Sequence, residues 1–390
     1  MEVQALRLHF SQLIKAWEKS KHNTYFDKGK DHYQETLKYL IKAISDENFT
    51  LFNSAQIEER RRIINFIFKS LGILDSSTTN QFPFEIIHCL QHALDEWVDP
   101  SNEKFVIVTS LINSYDDFYS FDGNLALDDV AYNIIQKVYN LTFEYRLIQI
   151  NLPKFLARDY FSNIVLYHEL GHFIDFKYQI TAPFAIEIQD KYNNKKYNAS
   201  DLVEFQKFFP YEFWKREYLD VLTSHLREYF SDLFAAQYIG KYSENLLNYV
   251  SGGPLAAHAI SGTHPSTKNR GDLVKDFLKN NSSTFINDLK VAINLTSGKE
   301  LKVRYSSEIK NSNLIKLLPI EIKTGDELSS VFVAAWELYD TYTNQIEKQN
   351  NFKYPLISSK VYEIINNLVE KSIGNYIVTS NWEKSKNVLS

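Results

Sequence analysis

The 390-residue chain is poor in the residues that cross-link and punctuate folds: one Cys (Cys89), 12 Gly and 9 Pro. A single thiol excludes an intramolecular disulfide, a multi-thiolate zinc site and an iron–sulfur cluster, and it fits a reducing compartment. Average usage would give about 27 Gly and about 20 Pro at this length. So few turn-formers argue against a many-stranded sandwich and for long helices. There is no basic excess either. Lys and Arg number 43 against 48 Asp and Glu, a net charge of −5, which argues against a nucleic-acid partner. No apolar run approaches the roughly 18 residues of a membrane span. The opening MEVQALRLHFSQLIKAW spreads charges through an amphipathic helix and lacks the apolar core of a signal peptide. These absences predict a cytoplasmic protein without a membrane span.

What is present suits a packed core. Hydrophobic residues make up 44% and charged residues 23%, as in ordinary globular domains. Helices are predicted at 2–19, 31–45, 54–71 and 84–97, with Gly72 as the C-cap of the third. A break at 99–102 precedes a continuous apolar, β-branched run at 105–109, which reads as a buried strand. A helix at 127–139 follows. Residues 143–152 read as a second strand, ended by Pro153. Its apolar side switches between Leu147 and Ile148, which calls for a bulge or for burial on both faces. Long helices are expected at 158–177 and 211–239, the latter stopped by Gly240. Breaks follow at Gly252-Gly253-Pro254 and at 262–266, then helices near 325–348 and 357–373. The fold class is α+β, predominantly helical, with a small mixed sheet. The expected divisions are a helical region 1–100, a core 101–280 and a mostly helical region 281–390.

The most informative feature is His168-Glu169-Leu170-Gly171-His172. On a helix, i and i+4 share a face, so both imidazoles can reach one metal ion. Glu169 lies about 100° around the helix, placed to take a proton from a zinc-bound water in the HExxH zinc-peptidase manner. The surrounding DYFSNIVLYHELGHFIDF is apolar nearly all round, so the helix should be buried. A buried His pair needs partners, and a metal supplies one. Gly171 costs about 1 kcal/mol against Ala in a helix; close approach of another backbone is the usual reason for such a glycine.

Zinc needs a third protein ligand. Glu228 and Asp232 are again i and i+4, inside the apolar run YFSDLFAAQYI. One carboxylate can bind the metal while the other accepts the N–H of a ligand His. With HPSTKNR at 264–270, the chain shows three ordered elements. Together they resemble the gluzincin zinc metallopeptidases, and most closely the family of the CAAX prenyl endopeptidases and the heat-shock membrane protease. That family has HExxH, then E-x-x-A-D-x-x-A, then H-P-x-x-x-x-R. The resemblance implies that His168, His172 and Glu228 bind zinc and that Glu169 is the general base. It further implies that Asp232 orients a ligand His, that His264 stabilises the oxyanion and that Arg270 anchors the loop. It implies a gluzincin-like core with the sheet beside the active-site helix. Ser231 stands where the pattern has Ala. The family's transmembrane helices are missing, so membrane location and prenylated substrates are not carried over. Residues 143–270 alone take part in the likeness. DLFAAQYIG is also similar to anti-repressor and stress-response regulator proteases, but HPSTKNR favours the first group.

Other candidates are weaker. His88 and His92 form an i, i+4 pair without a Glu after the first His, and a polar helix face explains them. Cys89 reads as a small buried hydrophobe. Asp175 competes as a third ligand but lies about 5 Å further along the helix, which favours a supporting or surface place. His225 either lines the cleft or packs. His258 shows no clear partner.

Together these features predict a zinc-dependent endopeptidase acting on a protein or peptide substrate, with the strand at 143–152 available for β-addition. Residues 1–100 or 281–390 would cover the cleft until a regulatory partner or a signal moves them. Two alternatives remain. One is a zinc-binding regulatory or sensor protein with vestigial catalysis. The other is a helical interaction module carrying a chance motif.

Overall fold

The computed structural model describes residues 2–25, 27–78, 83–112, 120–245, 260–281, 283–306 and 308–389. The chain forms two compact units, Met1–Arg158 and Asp159–Ser390. The division therefore falls after residue 158, not at 100 and 280. Strand pairing and core sharing explain the shift.

The first unit contains α1 (Glu2–Ser20), α2 (Lys28–Ser45), α3 (Ser54–Asp75), α4 (Phe84–Trp97), β1 (Lys104–Ile112), β2 (Ser120–Asp122), α5 (Asp129–Tyr139) and β3 (Tyr145–Pro153). Local chemistry sets the helix starts. Asp27 caps α2, Asn53 and Gln56 form a capping box on α3, and Asp128 caps α5. Gly72 is not a C-cap: α3 runs through it to Asp75. β3 pairs in parallel with β1, from Lys104↔Tyr145 to Ile112↔Pro153, and antiparallel with β2. This pairing ties residues 104–153 to the N-terminal helices.

The register against β1 is unbroken, so the switch at Leu147 and Ile148 is no bulge. Both side chains are fully buried because both faces of the strand are covered. Leu147, Val106 and Val108 join one core with Leu13, Leu37, Ile63 and Ile135 of the helices. The free edge of β1 is blunted by Gln91 of α4. Its amide donates to the Phe105 carbonyl at 3.0 Å and accepts from the Ile107 N–H at 3.3 Å. The expected docking strand is thus corrected. β3 is the central strand, bonded to β1 along its length and to β2 at Gln149–Asn151, so it is not an open edge for β-addition.

The second unit contains α6 (Leu166–Tyr178), α7 (Thr181–Asn193), α8 (Ala199–Phe208), α9 (Leu219–Ile239), α10 (Thr267–Leu278), α11 (Thr284–Ser297), α12 (Leu328–Thr341) and α13 (Ser358–Leu389). The two long helices expected from sequence start later than 158 and 211. Tight 3₁₀ turns at Ser162–Val165, Tyr211–Trp214 and Arg216–Tyr218 precede them. Gly240, at φ +60°, ends α9 as expected. Gly252-Gly253-Pro254 and His258 lie outside the described residues.

Helices α6 and α9 cross closely. A Cβ on Gly171 would stand 2.8 Å from the Ser231 Cα, the close backbone approach that a glycine in this helix calls for. The C-terminal region is part of this core. Tyr167 stacks on Tyr238 at 5.2 Å and meets the edge of Phe332 of α12. Phe285 of α11 joins Phe205, Phe208, Phe209 and Tyr229. Among the described residues, no helix is long and apolar enough to cross a membrane.

Candidate metal centre

The crossing of α6 and α9 sets the site. His168 and His172 project from α6, one turn apart, with ring centroids 4.7 Å apart. Glu228 projects from α9 opposite them. Its Oε2 lies 3.5 Å from His168 Nε2, and its Oε1 lies 3.5 Å from His172 Nε2. Glu169 stands beside the pair. His168, Glu169 and His172 each offer a ligand atom within 4.8 Å of the others.

The outward nitrogens are engaged. His168 Nδ1 lies 3.0 Å from Asp232 Oδ1, and His172 Nδ1 lies 3.0 Å from Ser231 Oγ. Both Nε2 atoms are thereby turned to the Glu228 carboxylate. Distances of 3.5 Å are long for hydrogen bonds. Two ligands on one tetrahedral zinc, at bonds of about 2.0–2.1 Å, stand about 3.4 Å apart. The donor set and its spacing fit a zinc ion held by His168, His172 and Glu228.

HPSTKNR forms the third side. Ser266 caps α10 by accepting from the Asn269 N–H, and this start turns Arg270 inward. Arg270 grips Asp232 through Nε and Nη2, each at 2.7 Å, and Nη2 also lies 3.1 Å from Glu228 Oε2. Arg270 therefore holds the carboxylate behind His168 as well as anchoring its own helix. His264 lies at the rim, with Nε2 3.6 Å from Glu228 Oε1 and a side chain 59% exposed. Thr263 Oγ1 meets its Nδ1 at 2.8 Å. Ser261 Oγ accepts from its backbone N–H.

The electrostatics follow from burial and charge. Burial opposes a proton on His168, but the Asp232 and Glu228 carboxylates outweigh it and hold the imidazole at about 10. Burial and the His168 charge push His172 down to about 3. Burial pushes Glu169 up to about 7; Glu228 adds to the rise, while His168 and Arg270 oppose it. For Glu228 and Asp232 burial acts upward. Hydrogen bonding to His168 and the Arg270 charge hold Glu228 low, and Arg270 first and then His168 hold Asp232 low.

The structure thus brings together all seven expected residues, His168, Glu169, His172, Glu228, Asp232, His264 and Arg270. Asp175 is a structural residue. Its carboxylate accepts from the Thr181 N–H and hydroxyl at 2.8 Å each, and Arg227 lies 3.3 Å away. His225 is fully buried against Phe213 and donates from Nε2 to the Ser261 carbonyl at 2.8 Å, so it holds the loop that carries His264. At Gly262 the φ is ordinary and an added Cβ would meet nothing among the described residues. Cys89 is buried in α4, where burial pushes its thiol up. His88 and His92 are half-buried on the same helix. Ser231, Thr263 and Ser261 were missed as contributors. The hydroxyl of Ser231, inside an otherwise apolar run one residue before Asp232, was the available signal.

Comparison of the chain with protein-family models, curated proteins and solved structures returns no match.

Proposed function

We propose that the protein is a zinc-dependent endopeptidase, similar in its site to the gluzincins. The observation that carries this reading is the convergence of His168 Nε2 and His172 Nε2 on the Glu228 carboxylate, at 3.5 Å each, with Glu169 alongside. Zinc at such a site is a Lewis acid that acidifies water and polarises a peptide carbonyl. Glu169, half-buried beside the ligands, takes the proton of the attacking water and passes it to the leaving amine. His264, on the exposed rim, donates to the carbonyl oxygen as negative charge develops there. Asp232 and Ser231 keep the ligand rings from turning, and Arg270 keeps Asp232 from turning. The substrate is a protein or peptide. The single cysteine favours a cytoplasmic setting, and a regulatory partner would act through the surfaces outside the site.

Glu169→Gln is the deciding variant. It should retain one zinc per chain and its fold, yet lose cleavage by at least a hundredfold. Mapping new protein N-termini in cells with wild type against the variant reads this directly. Identical N-termini and an unchanged biological effect would replace the peptidase reading with that of a zinc-binding regulatory protein.

A further inference from the structure

We propose that Ser231 is the positioning residue of His172: its hydroxyl oxygen takes the imidazole Nδ1–H and so leaves the Nε2 lone pair for the metal. The inference rests on the metal-site reading above and deepens it. Ser231 is fully buried on α9, and its Oγ lies 3.0 Å from His172 Nδ1. It stands three residues after Glu228, so one face of α9 supplies both a ligand and a ring support.

The close helix crossing explains why a serine does this. A Cβ on Gly171 would lie 2.8 Å from the Ser231 Cα and 3.1 Å from its Cβ. The backbones are so near that a one-carbon side chain spans the gap to the next residue of α6, which is His172. Alanine fits the space but leaves a buried imidazole N–H without an acceptor, which is destabilising. The ring can escape that cost by moving the proton to Nε2, where it competes with the metal.

The two ligand rings are thus supported unequally. His168 leans on the Asp232 carboxylate, itself gripped by Arg270. His172 leans on a neutral hydroxyl. Supporting partners of metal-bound imidazoles typically carry 10- to 100-fold in metal affinity. Ser231 is accordingly a determinant of zinc affinity, at a position where the pattern this chain resembles has only a methyl group.

The test is zinc binding by the whole chain, measured as competition between apo protein and a fluorescent chelator. Ser231→Ala should weaken zinc 10- to 100-fold while one ion per chain still binds at saturation. Nitrogen NMR of the zinc-loaded wild type, labelled in its imidazoles, should show His172 metal-bound through Nε2 with a proton on Nδ1 that exchanges slowly with water. In Ser231→Ala that proton should exchange fast. If wild type binds zinc and Ser231→Ala binds it equally well, the positioning role is wrong and the metal site stands. Metal bound through Nδ1 of His172 in the wild type also overturns it, whatever the variant does. If wild type takes up no zinc, the metal reading falls and this role with it.

Discussion

Arg270 and Asp232 form a buried two-pronged pair, Nε to Oδ2 and Nη2 to Oδ1, both at 2.7 Å. Asp232 in turn meets His168 Nδ1 at 3.0 Å. A chain of contacts thus runs from the first turn of α10, through α9, to a ligand on α6. α10 thus helps to hold the candidate metal centre together while supplying none of its proposed ligands.

Removing one member of such a pair leaves a buried charge without compensation, which typically costs 3–5 kcal/mol. Arg270→Leu should destabilise the second unit by about 3–5 kcal/mol, read from urea midpoints with an unchanged m-value. Arg270→Lys keeps the charge but not the fork and should cost less. Both should weaken zinc through the loosened His168 ring. A loss under about 1 kcal/mol in Arg270→Leu would show that Asp232 does not depend on this arginine.

Two glycines on helices make a paired prediction with opposite signs. At Gly171 a Cβ meets the Ser231 backbone at 2.8 Å, so α6 and α9 must part. Gly171→Ala should cost about 1–3 kcal/mol by overpacking. It should also weaken zinc, because His168 and His172 sit on one helix and Glu228 on the other. At Gly72, inside α3, a Cβ meets nothing among the described residues. Gly72→Ala should stabilise by about 0.5–1 kcal/mol. Thermal melts of the two variants decide it; equal effects would mean that the crossing is looser than 2.8 Å implies.

This contrast shows what was legible in the sequence. HELGH and the Glu228/Asp232 pair could be read because ligand spacing on a helix is local: four residues make one turn. The oddness of Gly171 was legible, but its partner Ser231 was not, since that contact spans two helices. Gly72 looked like a cap because sequence alone does not reveal whether a glycine has a left-handed backbone. Arg270 was legible as part of a motif, but its grip on Asp232 lies in tertiary packing. β3 was legible as a strand, whereas its central place depends on pairing with β1 and β2. Helices α7 and α8 escaped notice because the Asn- and Lys-rich KYNNKKYN reads as loop, although α7 ends within it and its last residue, Asn198, caps α8.

Lys30 supplies a pH test in the first unit. Its side chain is buried in α2, and burial pushes the ammonium from 10.5 down to about 8, with Asp27 opposing. The folded pKa lies below the unfolded one, so between about 8 and 10.5 the unfolded chain holds more protons. Stability attributable to this group therefore rises with pH through that window, and below about 8 its penalty is complete. The full penalty is on the order of 3 kcal/mol. Lys30→Met should be more stable than wild type at pH 7, and the gap should close by pH 10.5. Urea midpoints of both proteins at several pH values measure this; a gap that does not change with pH would place the ammonium in water.

Truncation tests the division into units. A metal core ending at residue 280 would lose α11, α12 and α13, and with them the buried Phe285, Val331, Phe332 and Leu338. Fully burying one such side chain stabilises by about 1.5–3 kcal/mol, so losing four removes about 6–12 kcal/mol, comparable with the roughly 5–15 kcal/mol that holds a typical domain together. Chain 1–280 should therefore be largely unfolded in its second unit, by circular dichroism and proteolysis, and should bind zinc only weakly. Chain 159–390 is one of the two compact units and keeps all seven site residues, so it should fold and bind one zinc ion. A 1–280 fragment with native-like protease resistance would show that the C-terminal helices cover the core without completing it. They could then be displaced by a regulatory partner.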